Sequence, residues 1–313
     1  MKRRKAFEIE VDGKPLDYRV GHDLDLAAVR AFFSRTYEVL DLKNAGRHVL
    51  GTLGKDGTAY FLKLATTEGI SMVTRNEYLW NDVFLAVHPR GSSVFQVPLN
   101  VEDGLYKTNL YFMITDVLTG KPLARAPEGG AEVPNLGDYL DRIIRFSEII
   151  SDLPARTGPG AVDHRQQFLT KVMSWYETIP EAVRETYAVR QTLVIVEEGV
   201  SGLSQKPRHG DFTPWHILDS GEALGLIDGE HYLPNGVEYY DIGYFIQRVY
   251  SVLGNAAVAE TLCDKLIGMG YDSKKLRVIL AARAIGGFLD ASLAPESRYE
   301  THASFQEFFR RLG

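Results

Sequence analysis

Residues 6–20 alternate apolar and polar positions about Asp12-Gly13, with Phe7, Ile9 and Val11 on one side, and this predicts a β-hairpin. From Leu24 to Leu40, Leu26, Val29, Phe32, Phe33 and Tyr37 recur near a 3.6-residue period and predict a helix. His48 to Gly54 and Ala59 to Ala65 predict two antiparallel strands joined by a tight turn at Lys55-Asp56-Gly57. A helix is expected from Thr74 to about Val87, and strands are expected at 93–98 and 109–116. Residues 1–117 thus read as a small, mainly antiparallel sheet carrying one or two helices.

The texture then changes. Thr119 to Gly137 holds three prolines and four glycines, which places a hinge and linker at 118–137. Beyond it helical periodicity dominates, with helices expected at 139–153, 166–179, 181–190, 240–252, 255–268 and 274–291. A short β-rich island, 206–232, interrupts them, and there is no internal repeat. The predicted class is α+β, with a mainly β lobe at 1–117 and a mainly α-helical lobe at 138–313.

Composition narrows the function classes. The 313-residue chain is 45% hydrophobic and 24% charged, values of a soluble globular protein. A net charge of −6 argues against a general nucleic-acid binder, and the one basic cluster, Lys2 to Lys5, reads as a solvated tail. Cys263 is the single cysteine, so intramolecular disulfides and multi-cysteine zinc sites are excluded and a reducing compartment fits. No apolar stretch approaches the ~20 residues that span a bilayer. The N-terminal charges are not followed by the apolar segment of a secretory signal, so the expected location is the cytoplasm.

The chemistry concentrates in His209-Gly-Asp-Phe-Thr-Pro-Trp-His-Ile-Leu218 and Ala223-Leu-Gly-Leu-Ile-Asp-Gly-Glu230. Asp211 and Asp228 each lie at the edge of a strand-like segment, separated by the turn Asp219-Ser220-Gly221. Phosphoryl transfer needs such a pair: one carboxylate takes the proton of the attacking hydroxyl, and another holds the metal that neutralises the phosphates. As single residues, each reads equally as a turn or cap aspartate. Lys63 is a lone cation in the apolar run Tyr60-Phe-Leu-Lys-Leu64, one strand after Gly51 and Gly54. It reads either as a phosphate-pairing lysine or as an outward-facing lysine of an edge strand. Trp175 falls on the apolar stripe of a helix and reads as core.

His209-Gly-Asp211 followed by Ile227-Asp228-Gly-Glu230 resembles the signature of the aminoglycoside phosphotransferase and choline kinase family, which shares the protein-kinase-like fold. The resemblance implies a two-lobed fold with ATP or GTP in the cleft, Mg2+ as cofactor, Asp211 as catalytic base and Asp228 as metal ligand. It makes Lys63 and the Gly51/Gly54 turn phosphate-positioning elements, with Glu77 holding the lysine. Thr74 and Glu77 also have the spacing of a capping box, which competes with that role. The run Tyr111 to Leu118 resembles the hinge that meets adenine, with Asp116 and Leu118 as the expected contacts. His209 and Asp241 become supports of the catalytic loop, and Glu230 and Glu238 candidate substrate contacts.

The main departure is His216, which stands where the family carries a metal-binding asparagine. An imidazole suits Mn2+ better than Mg2+, so a nucleotide-binding, pseudokinase-like module with little turnover is the alternative. A zinc site built from His209, Asp211, His216 and His231 is a third possibility, without a matching motif. Gly210 takes the place where many regulated protein kinases carry an arginine. The expected partners are a nucleoside triphosphate and a small hydroxyl-bearing acceptor, and no motif in 155–205 identifies that acceptor.

Overall fold

Asp12 and Gly13 both take positive φ, 50° and 73°, and close a tight turn between β1 (Glu8–Val11) and β2 (Lys14–Asp17). The computed structural model describes residues 5–91, 93–125, 135–155, 163–295 and 298–312. Residues 126–134 of the expected linker, 156–162 of the acceptor region and most of the basic cluster lie outside the described residues.

The chain continues through α1 (Leu26–Phe33), β3 (Glu38–Ala45), β4 (His48–Lys55), β5 (Thr58–Ala65) and α2 (Glu68–Val87). Then come β6 (Phe95–Gln96), β7 (Asn100–Tyr106), β8 (Leu110–Asp116) and β9 (Lys121–Pro122). After α3 (Leu140–Ser151), α4 (His164–Thr178), α5 (Glu181–Thr186) and α6 (Val189–Gly199) lie the short strands β10 (Gln205–Arg208), β11 (Ile217–Asp219), β12 (Leu224–Leu226) and β13 (Leu233–Val237). Four helices follow: α7 (Tyr240–Gln247), α8 (Ala256–Gly268), α9 (Ser273–Leu293) and α10 (Tyr299–Arg310).

Two compact units emerge, residues 1–121 with 218–232, and residues 122–217 with 233–313. The division differs from the contiguous lobes expected from sequence. β12 pairs in parallel with β6, Leu224 opposite Phe95, and this ties 218–232 to the first unit.

In the first unit a five-stranded antiparallel sheet has the order β3-β4-β5-β8-β7. Strand alternation sends Leu62 and Leu64, both fully buried, to the face where Val29 and Phe33 of α1 pack. Lys63 must then face the other side. The expected helix 24–40 stops at Phe33, and 38–45 is an edge strand instead. In that segment Val39 is buried while Leu40 is exposed, a period of two that the helical spacing masks. Strand β7 is a further element that the sequence pattern does not predict. The helix expected to begin at Thr74 begins at Glu68, capped by Thr67, whose side chain accepts from Ile70 N (3.3 Å). Thr74 is therefore mid-helix, its hydroxyl donating to Ile70 O (2.9 Å), and the capping-box reading of Thr74 and Glu77 gives way.

In the second unit α9 is packed on by α4, α6, α7 and α10. It is apolar around nearly its whole circumference, from Leu276 to Ala291, as a central helix must be. The helix expected at 181–190 is two helices, broken at Ala188 with φ 47°. No helix among the described residues is long and apolar enough to cross a membrane.

Candidate active site

Lys63 sits on the central strand β5 with 7% of its surface exposed, so it is not an edge lysine. Its Nζ lies 2.6 Å from Glu77 Oε2, 2.6 Å from Asp228 Oδ1 and 2.7 Å from Glu230 Oε1. Because α2 starts a turn and a half early, Glu77 falls inside the helix on the face toward β5. Asp228 is held in the left-handed region, φ 66°, and Gly229 follows it. A Cβ on Gly229 would sit 2.4 Å from Trp80 Cδ1, so only glycine lets this turn close on α2. Glu230 is also bound by Arg47 Nη2 (2.7 Å) and touched by His48 Nε2 (3.3 Å).

Burial alone would discharge Lys63, but Asp228, Glu230 and Glu77 together outweigh it and hold the ammonium well above the usual lysine range. Burial, with Lys63 alongside, pushes His48 down to about 3, so its contact with Glu230 involves a neutral ring. Its Nε2 lies 2.9 Å from Thr74 Oγ1. As the Thr74 hydroxyl already donates to Ile70, the hydrogen-bond pattern assigns the proton to Nε2.

Several expected roles change. Gly51 and Gly54 form no turn; both lie within β4. A Cβ on Gly51 would be 2.6 Å from Leu42 Cδ2 and 2.8 Å from Asp41 O, so this glycine permits close approach of β3 near its bulge. The turn at the Lys63 end is Gly46-Arg47, with Ala45 paired to His48. Glu230, expected to contact substrate, is 2% exposed and committed to Lys63 and Arg47. Asp116 donates its backbone N–H to Leu99 O (3.0 Å), which removes that donor from any base. Its carboxylate is gripped by Arg90 and accepts from Leu99 N (2.7 Å). Leu118 lies past the end of β8, its side chain against Gly225.

In the second unit β10 runs into the loop His209-Gly210-Asp211. Asp241, in the first turn of α7, accepts from His209 N (2.7 Å) and Gly210 N (2.8 Å). Gly210 has φ 87°, a conformation that L side chains rarely adopt, so the backbone itself excludes an arginine here. His209 is fully buried and its Nδ1 accepts from Asp211 N (3.3 Å). Phe212 anchors the loop against Phe146 and Phe245. Asp211 keeps a side chain 20% exposed. His216 Nδ1 lies 3.1 Å from Asp211 O and 3.5 Å from Asp211 Oδ2. Donation to that carbonyl places the ring's proton on Nδ1.

Burial pushes Asp241 up to about 6, against the two N–H donors that pull it down. The folded state thus holds this proton more tightly than the unfolded chain does. Its contribution to stability is full below the ordinary aspartate value and is lost as pH rises toward 6. Activity should run the other way, because a protonated carboxyl accepts poorly from His209 and Gly210. We expect turnover to fall as pH drops below about 6. A pH–rate profile of Asp241→Asn, slower throughout and without that limb, checks the cause.

Glu238 is another expected substrate contact that the structure assigns elsewhere. Its Oε1 accepts from Ser204 N (2.5 Å) and Lys275 Nζ (2.9 Å), joining β13 to α9. The four proposed zinc ligands are not assembled: no cluster of potential ligands among the described residues includes His209 or His231. Sequence reasoning misses Arg47, His48 and Arg248. Arg248 opens a π-helical turn after α7 and donates Nη2 to Tyr244 Oη (2.5 Å) and Asp290 Oδ2 (2.6 Å). A hydrophobic run carrying a single arginine is the only signal for it.

Glu77, Asp228 and Glu230 bring carboxylate oxygens within 4.8 Å of one another, a donor set that suits Mg2+. Lys63 occupies their centre, and Asp228 is the most exposed of the three at 25%, so it is the one able to turn toward a metal.

No known family model and no curated protein matches this sequence. Solved structures do. The aminoglycoside phosphotransferase APH(4)-Ia superposes with a TM-score of 0.67 at 14% identity, covering 92% of this chain and 99% of that one. Choline kinase LicA from Streptococcus pneumoniae gives 0.56 at 16% identity, covering 91% and 97%. An amicoumacin kinase, solved with AMP-PNP and Ca2+, gives 0.57 at 13%, covering 92% of each chain. A thermostable variant of APH(4)-Ia has been solved with AMP-PNP and hygromycin B. At these identities the likeness establishes the fold, which is protein-kinase-like with a small antiparallel-sheet lobe and a larger helical lobe.

Proposed function

We propose that this protein transfers the γ-phosphoryl group of ATP or GTP to a hydroxyl of a small acceptor. The observation that carries the reading is the buried Lys63 ammonium, fixed by Glu77 and in contact with Asp228. A lysine so held presents a positive charge of fixed position to the donor phosphates. Asp228 would hold Mg2+, and the ion supplies charge neutralisation at the phosphates when bound. Asp211 orients the acceptor hydroxyl and takes its proton as the new O–P bond forms and the bond to the β-phosphate oxygen breaks. Asp241 fixes the backbone that carries Asp211. Positioning and charge supply nearly all the catalysis in such a loose transition state. Proteins of this fold named for hygromycin-type aminoglycosides, choline and amicoumacin support an aminoglycoside-, amino-alcohol- or sugar-like acceptor.

Thermal-shift titration with ATP and GTP, each with Mg2+, Mn2+ or no metal, tests the reading. Binding should raise stability by about 2.7 kcal/mol at a hundredfold excess over Kd, and only with metal for full effect. No shift under any condition removes the phosphotransferase. The contact of His216 with the Asp211 loop favours one second reading, a nucleotide-binding module with little turnover. His216→Asn separates the two: a large gain in rate identifies the histidine as a handicap, and a loss identifies it as part of the mechanism.

A further inference from the structure

The β3–β4 turn stands at the Lys63 end of the sheet, where a loop covering donor phosphates would belong. Its two residues, Gly46 and Arg47, leave little backbone to offer. The turn is also pinned. Thr66 donates its N–H (3.2 Å) and its hydroxyl (2.7 Å) to Arg47 O. Gly21 packs so tightly against it that a Cβ there would lie 2.2 Å from Gly46 O and 2.8 Å from Arg47 Cα. A turn this short and this fixed cannot fold over a phosphate chain and cradle it with successive amides, as glycine-rich loops do. Any contact from this edge must come from a side chain.

We infer that Arg47 is that contact: a side-chain reader of the donor's polyphosphate, aimed by Glu230 and acting beside Lys63. The inference rests on the phosphotransferase reading above and deepens it. One carboxylate joins the two cations, Glu230 Oε2 to Arg47 Nη2 and Oε1 to Lys63 Nζ, both at 2.7 Å. Glu230 is 2% exposed and serves as an internal bracket, whereas the Arg47 side chain is 31% exposed and forms the rim. Glu77, Asp228 and Glu230 outnumber Lys63, so a polyanion approaching the lysine alone would meet excess negative charge. Arg47 offsets one of those charges from the exposed side of the cluster. Its Nη1 also donates to Tyr18 O (3.4 Å), which helps fix the planar fork, and that fork matches phosphate geometry as a second lysine would not.

The test compares affinities of wild type, Arg47→Ala, Arg47→Gln and Arg47→Lys for Mg–ATP, ADP, AMP and adenosine by titration calorimetry. Arg47→Gln keeps a donor for Glu230 while removing the charge, so it separates phosphate reading from simple support of the turn. We expect ATP affinity to drop about tenfold to a hundredfold in the Ala and Gln variants and adenosine affinity to hold. Arg47→Lys should fall between. Equal losses for ATP and adenosine, or none for either, overturn the inference while leaving nucleotide binding intact. A wild type that binds neither ligand overturns the phosphotransferase reading and this inference with it.

Discussion

Asp211→Asn is expected to lower phosphoryl transfer by about 10²- to 10⁴-fold while leaving nucleotide affinity within a factor of two. The amide has the size of the carboxylate and can still orient a hydroxyl, but it cannot take a proton. The loop around it does not depend on the charge. Its backbone is fixed by Asp241 through His209 N and Gly210 N, by His209 Nδ1 through Asp211 N, and by Phe212 in the core. Thermal stability should therefore stay close to wild type. Single-turnover measurement of transfer, beside calorimetric titration of Mg–ATP, gives both numbers. Full transfer by the variant would remove Asp211 as the base. Loss of transfer and nucleotide affinity together would instead make it a donor-binding group.

What can be read from the sequence is what lies close along the chain. The His209-Gly-Asp211 loop and the Asp228-Gly-Glu230 turn are local constellations, and their glycines carry a signal because Gly210 needs φ 87° and Gly229 abuts Trp80. Lys63 stands out as a charge in an apolar strand. The failures come where pairing over distance decides. Strand β3 looks like the end of a helix because Val29, Phe33 and Tyr37 satisfy a helical period, while a bulge between Val39 and Asp41 breaks its alternation and only pairing with β4 reveals the strand. With β3 hidden, the turn at Gly46-Arg47 is invisible, and the glycines inside β4 attract its role. Glu230 reads as a substrate contact because acidic residues usually face water. The side chains that bury it, Arg47 and His48, lie far away in sequence. Counting back from Lys63 through two eight-residue strands would locate the turn.

Lys63→Met should be the most damaging single change to the first unit. Methionine fills the volume of the lysine stem but leaves Glu77 and Glu230, 6% and 2% exposed, without the cation they share. Removing one partner from a buried ionic cluster typically costs about 3–5 kcal/mol, a large share of the ~5–15 kcal/mol that holds a domain together. Urea unfolding should show that loss, and nucleotide binding should disappear with it. The charge explanation makes a second demand. Adding Glu230→Gln to Lys63→Met removes one of the stranded carboxylates, so the double variant should regain part of the lost stability. Glu230→Gln alone should be destabilising, since it withdraws the negative charge paired with both Arg47 and Lys63. The sign of the effect of Glu230→Gln therefore reverses with the residue at position 63, a coupling that a double-mutant cycle measures directly. Additive losses would mean that Lys63 acts through packing of its stem, and the three carboxylates would need another source of compensation.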